Sequence, residues 1–161
     1  MFLSDKWKDY ELIDASRGEK LESWGGIVLR RPDPQIVWTV GKSDLSDRWR
    51  GADAHYIRSS TGGGHWETKK RLPESWTVDY GELTFGIKMM GFKHTGLFPE
   101  QATNWDWFSE IIRSCGRENV NVLNLFAYTG GATMAASKAG AAVCHVDASR
   151  GMVGWAKENA Q

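Results

Sequence analysis

The feature that most constrains the fold is a pair of short apolar runs, the first ending in two glycines and the second in an aspartate. The first, Val122–Gly131, reads VLNLFAYTGG, and the second, Val143–Ser149, reads VCHVDAS. If both runs are parallel strands with a helix between them, their carboxyl ends meet at one edge of the sheet. We therefore expect the turn at Gly130 and Gly131 and the carboxylate of Asp147 to face one crevice.

Helices and strands of suitable length surround the two runs. Apolar periodicity and helix-ending glycines predict, in chain order, a helix opened by Pro99 and ended by Gly116, a buried strand Val120–Phe126, a helix Gly131–Ala139, a strand Val143–Val146 and a helix Arg150–Asn159. This order is a parallel βαβ unit of an α/β fold. Only two parallel strands are visible, whereas an open sheet needs more, so the chain is interpreted as a fragment of a longer protein. The apolar side chains of the last helix (Met152, Val153 and Trp155) are expected to lack a sheet to cover them.

The chain changes character near Gly91. Glycine- and proline-rich turns separate strand-like runs before it, which predicts a small, mostly antiparallel β module over residues 1–90 and the first part of an α/β domain over 91–161. The runs are Tyr10–Ile13, Gly26–Arg30, Ile36–Thr39, His55–Ser59, Trp76–Tyr80 and Leu83–Met89. The chain has nine tryptophans, most of them in this half, and they fit a packed core better than a base-stacking surface.

A carboxylate at the end of the second strand suits a cofactor that contains a nucleoside, because its two oxygens can accept hydrogen bonds from two ribose hydroxyls. The turn Ala127–Gly131 lacks the first glycine of the G-x-G-x-x-G dinucleotide pattern, and the chain has no G-x-x-x-x-G-K-[ST] phosphate loop. A methyl donor carries no phosphate, so this turn favours S-adenosylmethionine (SAM) over NAD. The alternative is an ordinary βα turn with a capping aspartate.

Three segments carry a resemblance to a known family. Asn124–Gly131 (NLFAYTGG), Val146–Ser149 (VDAS) and, upstream, Gly91–Gln101 (GFKHTGLFPEQ) resemble the SAM-binding region of class I SAM-dependent methyltransferases related to the bacterial large-subunit ribosomal RNA cytosine-C5 methyltransferases. The resemblance implies a partial Rossmann-like class I methyltransferase fold preceded by the β module, SAM as the cofactor and RNA as the substrate. The amino-terminal module departs from the PUA domain of longer relatives, so the resemblance does not extend to a particular RNA.

The resemblance also implies a set of cofactor-binding residues. In this family the turn after the first strand holds the methionine portion of SAM, and the acidic residue after the second strand holds the ribose. By position, the turn residues are Phe126, Ala127, Thr129, Gly130 and Gly131, the ribose residue is Asp147, and Ala148 and Ser149 would lie near the adenine. The upstream candidates are Lys93, Thr95, Phe98 and Gln101. The family's Asp-Pro-Pro motif and its cysteine nucleophile are absent from this sequence, so no catalytic residue is assigned.

Composition leaves the partner open. Lysine plus arginine equals aspartate plus glutamate at 20 each, and a zero net charge neither supports nor excludes RNA binding. Cys115 and Cys144 are expected to be small buried side chains and not a disulfide or a metal site. No apolar run reaches the roughly 20 residues of a membrane span, and Met1–Tyr10 lacks the apolar core of a signal peptide, which makes the cytoplasm the default location.

Two other functions stay open at this stage. One is a NAD-dependent oxidoreductase with the same fold class. The other is a β-rich RNA-binding module attached to a degenerate α/β segment. An uncovered sheet edge would also allow the chain to self-associate.

Overall fold

The computed structural model describes residues 3–39 and 47–161. The chain forms two compact units, which are described separately below. The α/β unit comprises Met1–Trp7, Asp79–Gly86 and Gly96–Gln161, and the β unit comprises Lys8–Val78 and Ile87–Thr95. The predicted division into domains 1–90 and 91–161 stays a prediction, since the two units interleave along the chain.

The β unit is built on a five-stranded sheet with strand order β1-β2-β3-β4-β5. The strands are β1 Tyr10–Ser16, β2 Glu19–Trp24, β3 Ile27–Pro32, β4 Ala54–Arg58 and β5 Gly64–Thr68, with a short helix α1, Asp47–Arg50, before β4. Neighbouring strands are antiparallel except for β3 and β4, which are parallel. The first two hairpins have two-residue turns, Arg17-Gly18 and Gly25-Gly26, and all four residues have positive φ. This is the type I′ geometry that matches the twist of a hairpin.

A charged pair lies inside the β unit. Glu22 and Arg31 are almost fully buried, and two hydrogen bonds of 2.6 and 2.9 Å join the guanidinium to the carboxylate. Arg31 Nη1 also donates to the Lys93 carbonyl at 3.1 Å, and Tyr10 donates its hydroxyl to Glu22 at 2.9 Å. Burial by itself would raise the pKa of Glu22, but the charge and hydrogen bonds of Arg31, with smaller contributions from Lys20 and Tyr10, outweigh it and lower that pKa. Glu22 is therefore an ionised buried carboxylate that depends on its partner.

A hairpin of two strands, β6 Trp76–Tyr80 and β7 Leu83–Ile87, forms a sheet of its own. After it, the α/β unit continues with a 3-10 turn Pro99–Gln101 and with α2 Ala102–Ser114, β8 Asn121–Leu125, α3 Gly131–Lys138, β9 Ala142–Val146 and α4 Arg150–Asn159. Strands β8 and β9 are parallel and pair from Asn121↔Ala142 to Leu125↔Val146. Trp105 of α2 is buried against Tyr80 and Phe85 in the core of this unit.

The α/β architecture with a Rossmann-like βαβ unit is confirmed, and several finer predictions are wrong. Ile36–Thr39 is not a strand, and β2 and β5 were not foreseen. The charged sequence of β2, EKLESW, does not look like a buried strand. Its second glutamate, Glu22, is nevertheless buried, because it pairs with Arg31. The strand predicted at Val120–Phe126 is not buried: Leu123 and Leu125 are 62% and 53% exposed.

Three predictions about single side chains are also wrong. Cys115 and Cys144 are both exposed, the first at the end of α2 and the second on the uncovered face of β9. Trp155 of α4 is 5% exposed and needs no further sheet to cover it. Its indole Nε1 donates to the Gly86 carbonyl at 2.9 Å, and its ring packs on Gly96, where a side chain would not fit. Among the described residues no helix is long and apolar enough to cross a membrane.

Candidate cofactor-binding site

The turn between β8 and α3 has an unusual backbone. Phe126, Tyr128 and Gly130 all have positive φ, at 55°, 52° and 94°. For phenylalanine and tyrosine this conformation costs roughly 1–2 kcal/mol each, and strain of this kind is concentrated at functional sites. Backbone hydrogen bonds hold the turn in place, from Ala127 N to the Val146 carbonyl at 3.0 Å and from Gly130 N to the Ala127 carbonyl at 3.1 Å. The turn is thus fixed to the end of β9.

The carboxylate of Asp147 lies directly beside this turn. Its Oδ2 accepts a hydrogen bond from Tyr128 N, and its Oδ1 accepts one from Ser149 N, each at 2.8 Å. The bonds from Ser149 and Tyr128 lower the pKa of Asp147 below 3.8, so the group is ionised at neutral pH. Each oxygen has a second lone pair with which it can accept a hydrogen bond from a ligand.

A hollow of about 530 Å³ adjoins the turn, within the usual size range of small-molecule sites. Helix α3 begins here, and its N-cap residue Gly130 provides no side-chain cap. Gly131 and Ala132 in the first turn of α3 line the hollow, so the positive end of the helix faces it. The remaining lining residues are Leu97, Phe98, Glu100, Gln101, Trp105, Asn124, Leu125, Phe126, Ala127, Tyr128 and Thr129.

Six of the twelve predicted site residues line this hollow, and Asp147 is not one of them, although it contacts the turn through Tyr128 N. Those that line the hollow are Phe98, Gln101, Phe126, Ala127, Thr129 and Gly131. Gly130 is part of the turn, and Asp147 and Ser149 are joined by a hydrogen bond at the end of β9, with the exposed Ala148 between them. Their role in holding a cofactor stays a prediction.

Lys93 and Thr95 belong to the other unit. Lys93 Nζ donates to the Pro32 carbonyl at 3.1 Å within the β unit. Burial, the largest effect on this amine, lowers its pKa; the charge of Asp33 opposes this, and nearby cations including Arg58 add to the lowering. Thr95 is fully buried. The assignment of these two residues to the cofactor also stays a prediction.

Sequence reasoning overlooked Tyr128 and Asn159. The backbone of Tyr128 is the link between the turn and Asp147, and its ring centroid lies 5.4 Å from that of Phe98. Its position inside the turn Ala127–Gly131 was the available signal. Asn159, at the end of α4, gave no signal, because it is 30 positions from Thr129, the turn residue that it contacts.

The Asn159 amide ties the turn to strand β7. Its Nδ2 donates to the Thr129 carbonyl at 2.9 Å, and its Oδ1 accepts from Gly86 N at 2.8 Å. A side chain at Gly86 would crowd this amide, since an added Cβ would lie 3.3 Å from Oδ1. From the other direction, the buried Thr129 hydroxyl donates to the Gly96 carbonyl. The turn is therefore held by side chains as well as by its own backbone.

Replacing Asn159 by leucine should lower the free energy of unfolding by about 1–3 kcal/mol, because the Thr129 carbonyl and Gly86 N both lose their partner. Urea unfolding followed by tryptophan fluorescence would measure the change. Asn104→Leu is the matched control, since Asn104 is exposed and its amide donates to the side chain of Gln101, a neighbour on the same surface. We expect the control to stay within about 0.5 kcal/mol of the original chain, and equal losses in the two variants would contradict the role of Asn159.

A parallel βαβ unit in which a glycine turn and a helix N-terminus line a hollow, with a strand-end aspartate bonded to the same turn, is the ligand-binding arrangement of Rossmann-like folds. Comparison with solved structures shows which proteins with this fold the chain resembles. The SAM-dependent methyltransferase from Agrobacterium tumefaciens superposes with a TM-score of 0.85 and 39% identity over 95% of this chain. SMU.776, a methyltransferase solved in complex with SAH, matches with a TM-score of 0.67 over 96% of the chain; at 18% identity this likeness shows the fold alone.

Curated proteins agree with the structures. Ribosomal RNA large subunit methyltransferase K/L from Shewanella frigidimarina is 37% identical over 91 residues, which is 56% of this chain and 12% of that protein. No family model matches the chain. The chain spans 48% of the Agrobacterium structure, and so about half of that relative's length. The resemblance to class I SAM-dependent methyltransferases related to ribosomal RNA methyltransferases is thereby confirmed.

Proposed function

We propose that this chain forms the SAM-binding part of a SAM-dependent methyltransferase that modifies RNA. The observation that carries the proposal is the contact between Asp147 and the turn. Both carboxylate oxygens accept backbone hydrogen bonds at 2.8 Å, which fix the group at the end of β9, against the turn that lines the hollow. An ionised carboxylate held in this way can accept hydrogen bonds from the two hydroxyls of a ribose.

The residues around the hollow suit the other parts of SAM. The uncapped N-terminus of α3 at Gly131 favours a negative group such as the carboxylate of the methionine portion. The side chains of Phe98 and Trp105 add apolar surface to the lining. When bound, SAM supplies a methyl group already activated on a sulfonium. The protein's main task is then to orient the donor and the acceptor, for which a rigidly anchored turn is suited.

RNA as the acceptor is supported by the relatives, whose names describe ribosomal RNA methyltransferases. An RNA-modifying enzyme of this kind would act in the cytoplasm. A NAD-dependent oxidoreductase is less well supported, because the turn at residues 127–131 lacks the glycine that a pyrophosphate needs. The solved structures that the chain resembles are methyltransferases.

Replacing Asp147 by alanine should weaken the binding of SAM and of SAH by about tenfold or more, equivalent to roughly 1.4 kcal/mol. The loss follows from removing both acceptors for the ribose. Isothermal titration calorimetry of the purified chain with SAH would measure it. Glu158→Ala is the control, since it removes an exposed carboxylate from the same unit and should leave the affinity unchanged.

Parallel titrations with NAD and with a short single-stranded RNA separate the competing functions. Saturable SAH binding without NAD binding is the expected result. Binding of NAD in place of SAH would favour the oxidoreductase, and binding of RNA alone would favour an RNA-binding module. Either result, or an Asp147→Ala chain that binds SAH as well as the original, would refute the proposed site.

A further inference from the structure

A loop of the β unit lies against one face of its five-stranded sheet. The loop, residues 88–95, is closed by two backbone hydrogen bonds between its own residues. The Trp66 indole of β5 donates to the Met90 carbonyl at 2.9 Å. On the other side, the Arg31 guanidinium of β3 donates to the Lys93 carbonyl at 3.1 Å. The loop is therefore attached to the sheet at two points, through side chains of β3 and β5.

The strand register places further cations on the same side of the sheet as this loop. Lys20 of β2 is paired with Arg31 of β3. Tyr56 of β4 is paired with Trp66 of β5, and Arg58 lies two positions further along β4. Paired residues point to the same face of a sheet, as do residues two apart in one strand. Because each pair contains a side chain that bonds to the loop, Lys20 and Arg58 also point to the loop's side.

Positive charge exceeds negative charge around the loop. The charged groups here are four cations and two carboxylates, Lys20, Arg31, Arg58, Lys93, Glu22 and Asp33. Both carboxylates already have partners, since Glu22 lies 2.6 Å from Arg31 and Asp33 lies 3.7 Å from the Lys20 amine. Arg58 is exposed and forms no ion pair with the described residues. Four cations against two carboxylates leave two positive charges in excess.

The Lys93 amine is sensitive to this excess. Burial has the largest effect on its pKa and lowers it, and the charge of Asp33 opposes this. The nearby charges of Arg58, Lys20 and Arg31 lower the pKa further. An anion bound beside these groups would stabilise their charged forms. This side of the sheet is therefore suited to a negatively charged ligand.

The tip of the loop adds an aromatic ring to this positive surface. Phe92 is 45% exposed, although phenylalanine is among the residue types most often buried. Its ring meets that of His94 edge to face, with the centroids 5.4 Å apart, so ring surface stays open to solvent. Exposed rings beside cations are how proteins bind single-stranded nucleic acids, since bases stack on the rings and phosphates contact the cations.

We propose that Arg58, Phe92 and Lys93, called the loop surface below, bind single-stranded RNA. Phe92 stacks on a base, Arg58 binds a neighbouring phosphate, and Lys93 adds positive charge. The inference rests on the proposed function, because it takes RNA as the substrate, and it names the part of the β unit that holds that substrate. Phosphates of the RNA supply the negative charge that the described chain lacks here.

Fluorescence anisotropy with a short labelled single-stranded RNA tests the loop surface. Phe92→Ala should weaken binding by about fivefold or more, because it removes the stacking of one base. Arg58→Gln should lower the slope of log affinity against log salt concentration by about 0.7, the value for one phosphate contact on a single strand. The affinity of both variants for SAH should equal that of the original chain, since neither residue belongs to the α/β unit.

Matched controls remove the same kinds of side chain elsewhere in the β unit. Leu12→Ala takes away a side chain of β1 that is 53% exposed, and Arg48→Gln takes away an exposed cation of α1. Neither should change RNA binding. Equal losses in the controls, unchanged binding by Phe92→Ala, or no RNA binding by the original chain would overturn the loop surface.

Two further outcomes separate the competing explanations. Inorganic polyphosphate is titrated in parallel as a ligand with phosphates and no bases. Polyphosphate binding that is as tight as RNA binding would indicate a general anion site and would also overturn the proposal. A chain that binds RNA through the loop surface but does not bind SAH would support the loop surface and refute the proposed cofactor site.

Discussion

Replacing Glu22 by alanine is expected to lower the free energy of unfolding by about 3–5 kcal/mol, because it leaves the Arg31 guanidinium buried without its counter-charge. Glu22 is fully buried, and two hydrogen bonds of 2.6 and 2.9 Å join it to Arg31. Urea unfolding at neutral pH would measure the loss. Glu11→Ala, at an exposed position on the neighbouring strand β1, is the control and should change the stability by less than about 0.5 kcal/mol.

The double variant Glu22→Leu with Arg31→Met tests the reason for this loss. It removes both charges and keeps the volume, so we expect it to be more stable than Glu22→Ala. The pH dependence should differ as well. Because the pKa of Glu22 is lowered in the folded chain, its stabilising effect is complete above its usual 4.5 and is lost as the pH falls through the lower folded-state value. A double variant that loses stability as steeply as the original chain below pH 4.5 would contradict this account.

Replacing Gly96 by alanine is expected to cost about 3 kcal/mol, the sum of a strained backbone and an overfilled contact. Gly96 has φ +98°, and an added Cβ would lie 2.4 Å from the ring of the buried Trp155. The Gly96 carbonyl also accepts the hydrogen bond from Thr129 in the turn. A shift of this backbone would therefore reach the candidate site, and we expect weaker SAH binding together with the loss of stability.

Gly91→Ala is the matched control for this variant. Gly91 has no positive φ, and an added Cβ would lie within 4 Å of no atom in the described part of the chain. The control should unfold within about 0.5 kcal/mol of the original chain, or be slightly more stable because alanine restricts the unfolded state. If Gly96→Ala unfolds at the same urea concentration as the control, the Trp155 contact does not constrain this position.

The α/β unit could be predicted well from the sequence because its signals are local. The strand Val143–Val146 and the helix Arg150–Asn159 depend on the spacing of nearby apolar residues, and both lie within a residue of the observed elements. The β unit was harder to predict. Strand β2 carries three charged residues in six, and charged residues are rarely buried unless they are paired. Glu22 is buried because Arg31 pairs with it, and the sequence does not show that pairing.

In the candidate site, too, some features could be predicted from the sequence and others could not. The turn residues and Asp147 could be found because chain order alone brings the ends of two successive parallel strands together. The strained conformation of Tyr128 and its hydrogen bond to Asp147 could not be read from residue types. The contact of Asn159 with Thr129 could not be predicted from the sequence either, since only the packing of α4 brings the two residues together.

By itself, the sequence determined the order of helices and strands in the α/β unit and the meeting of a glycine turn with an aspartate. These depend on residues close together in the chain and on the fixed geometry of a parallel βαβ unit. The tertiary structure alone decided that Glu22 and Arg31 are buried as a pair, how the turn between β8 and α3 is anchored, and which face of β8 and β9 is open. Those properties arise from contacts between residues distant in sequence, and their free energies depend on the surroundings that only the folded chain supplies.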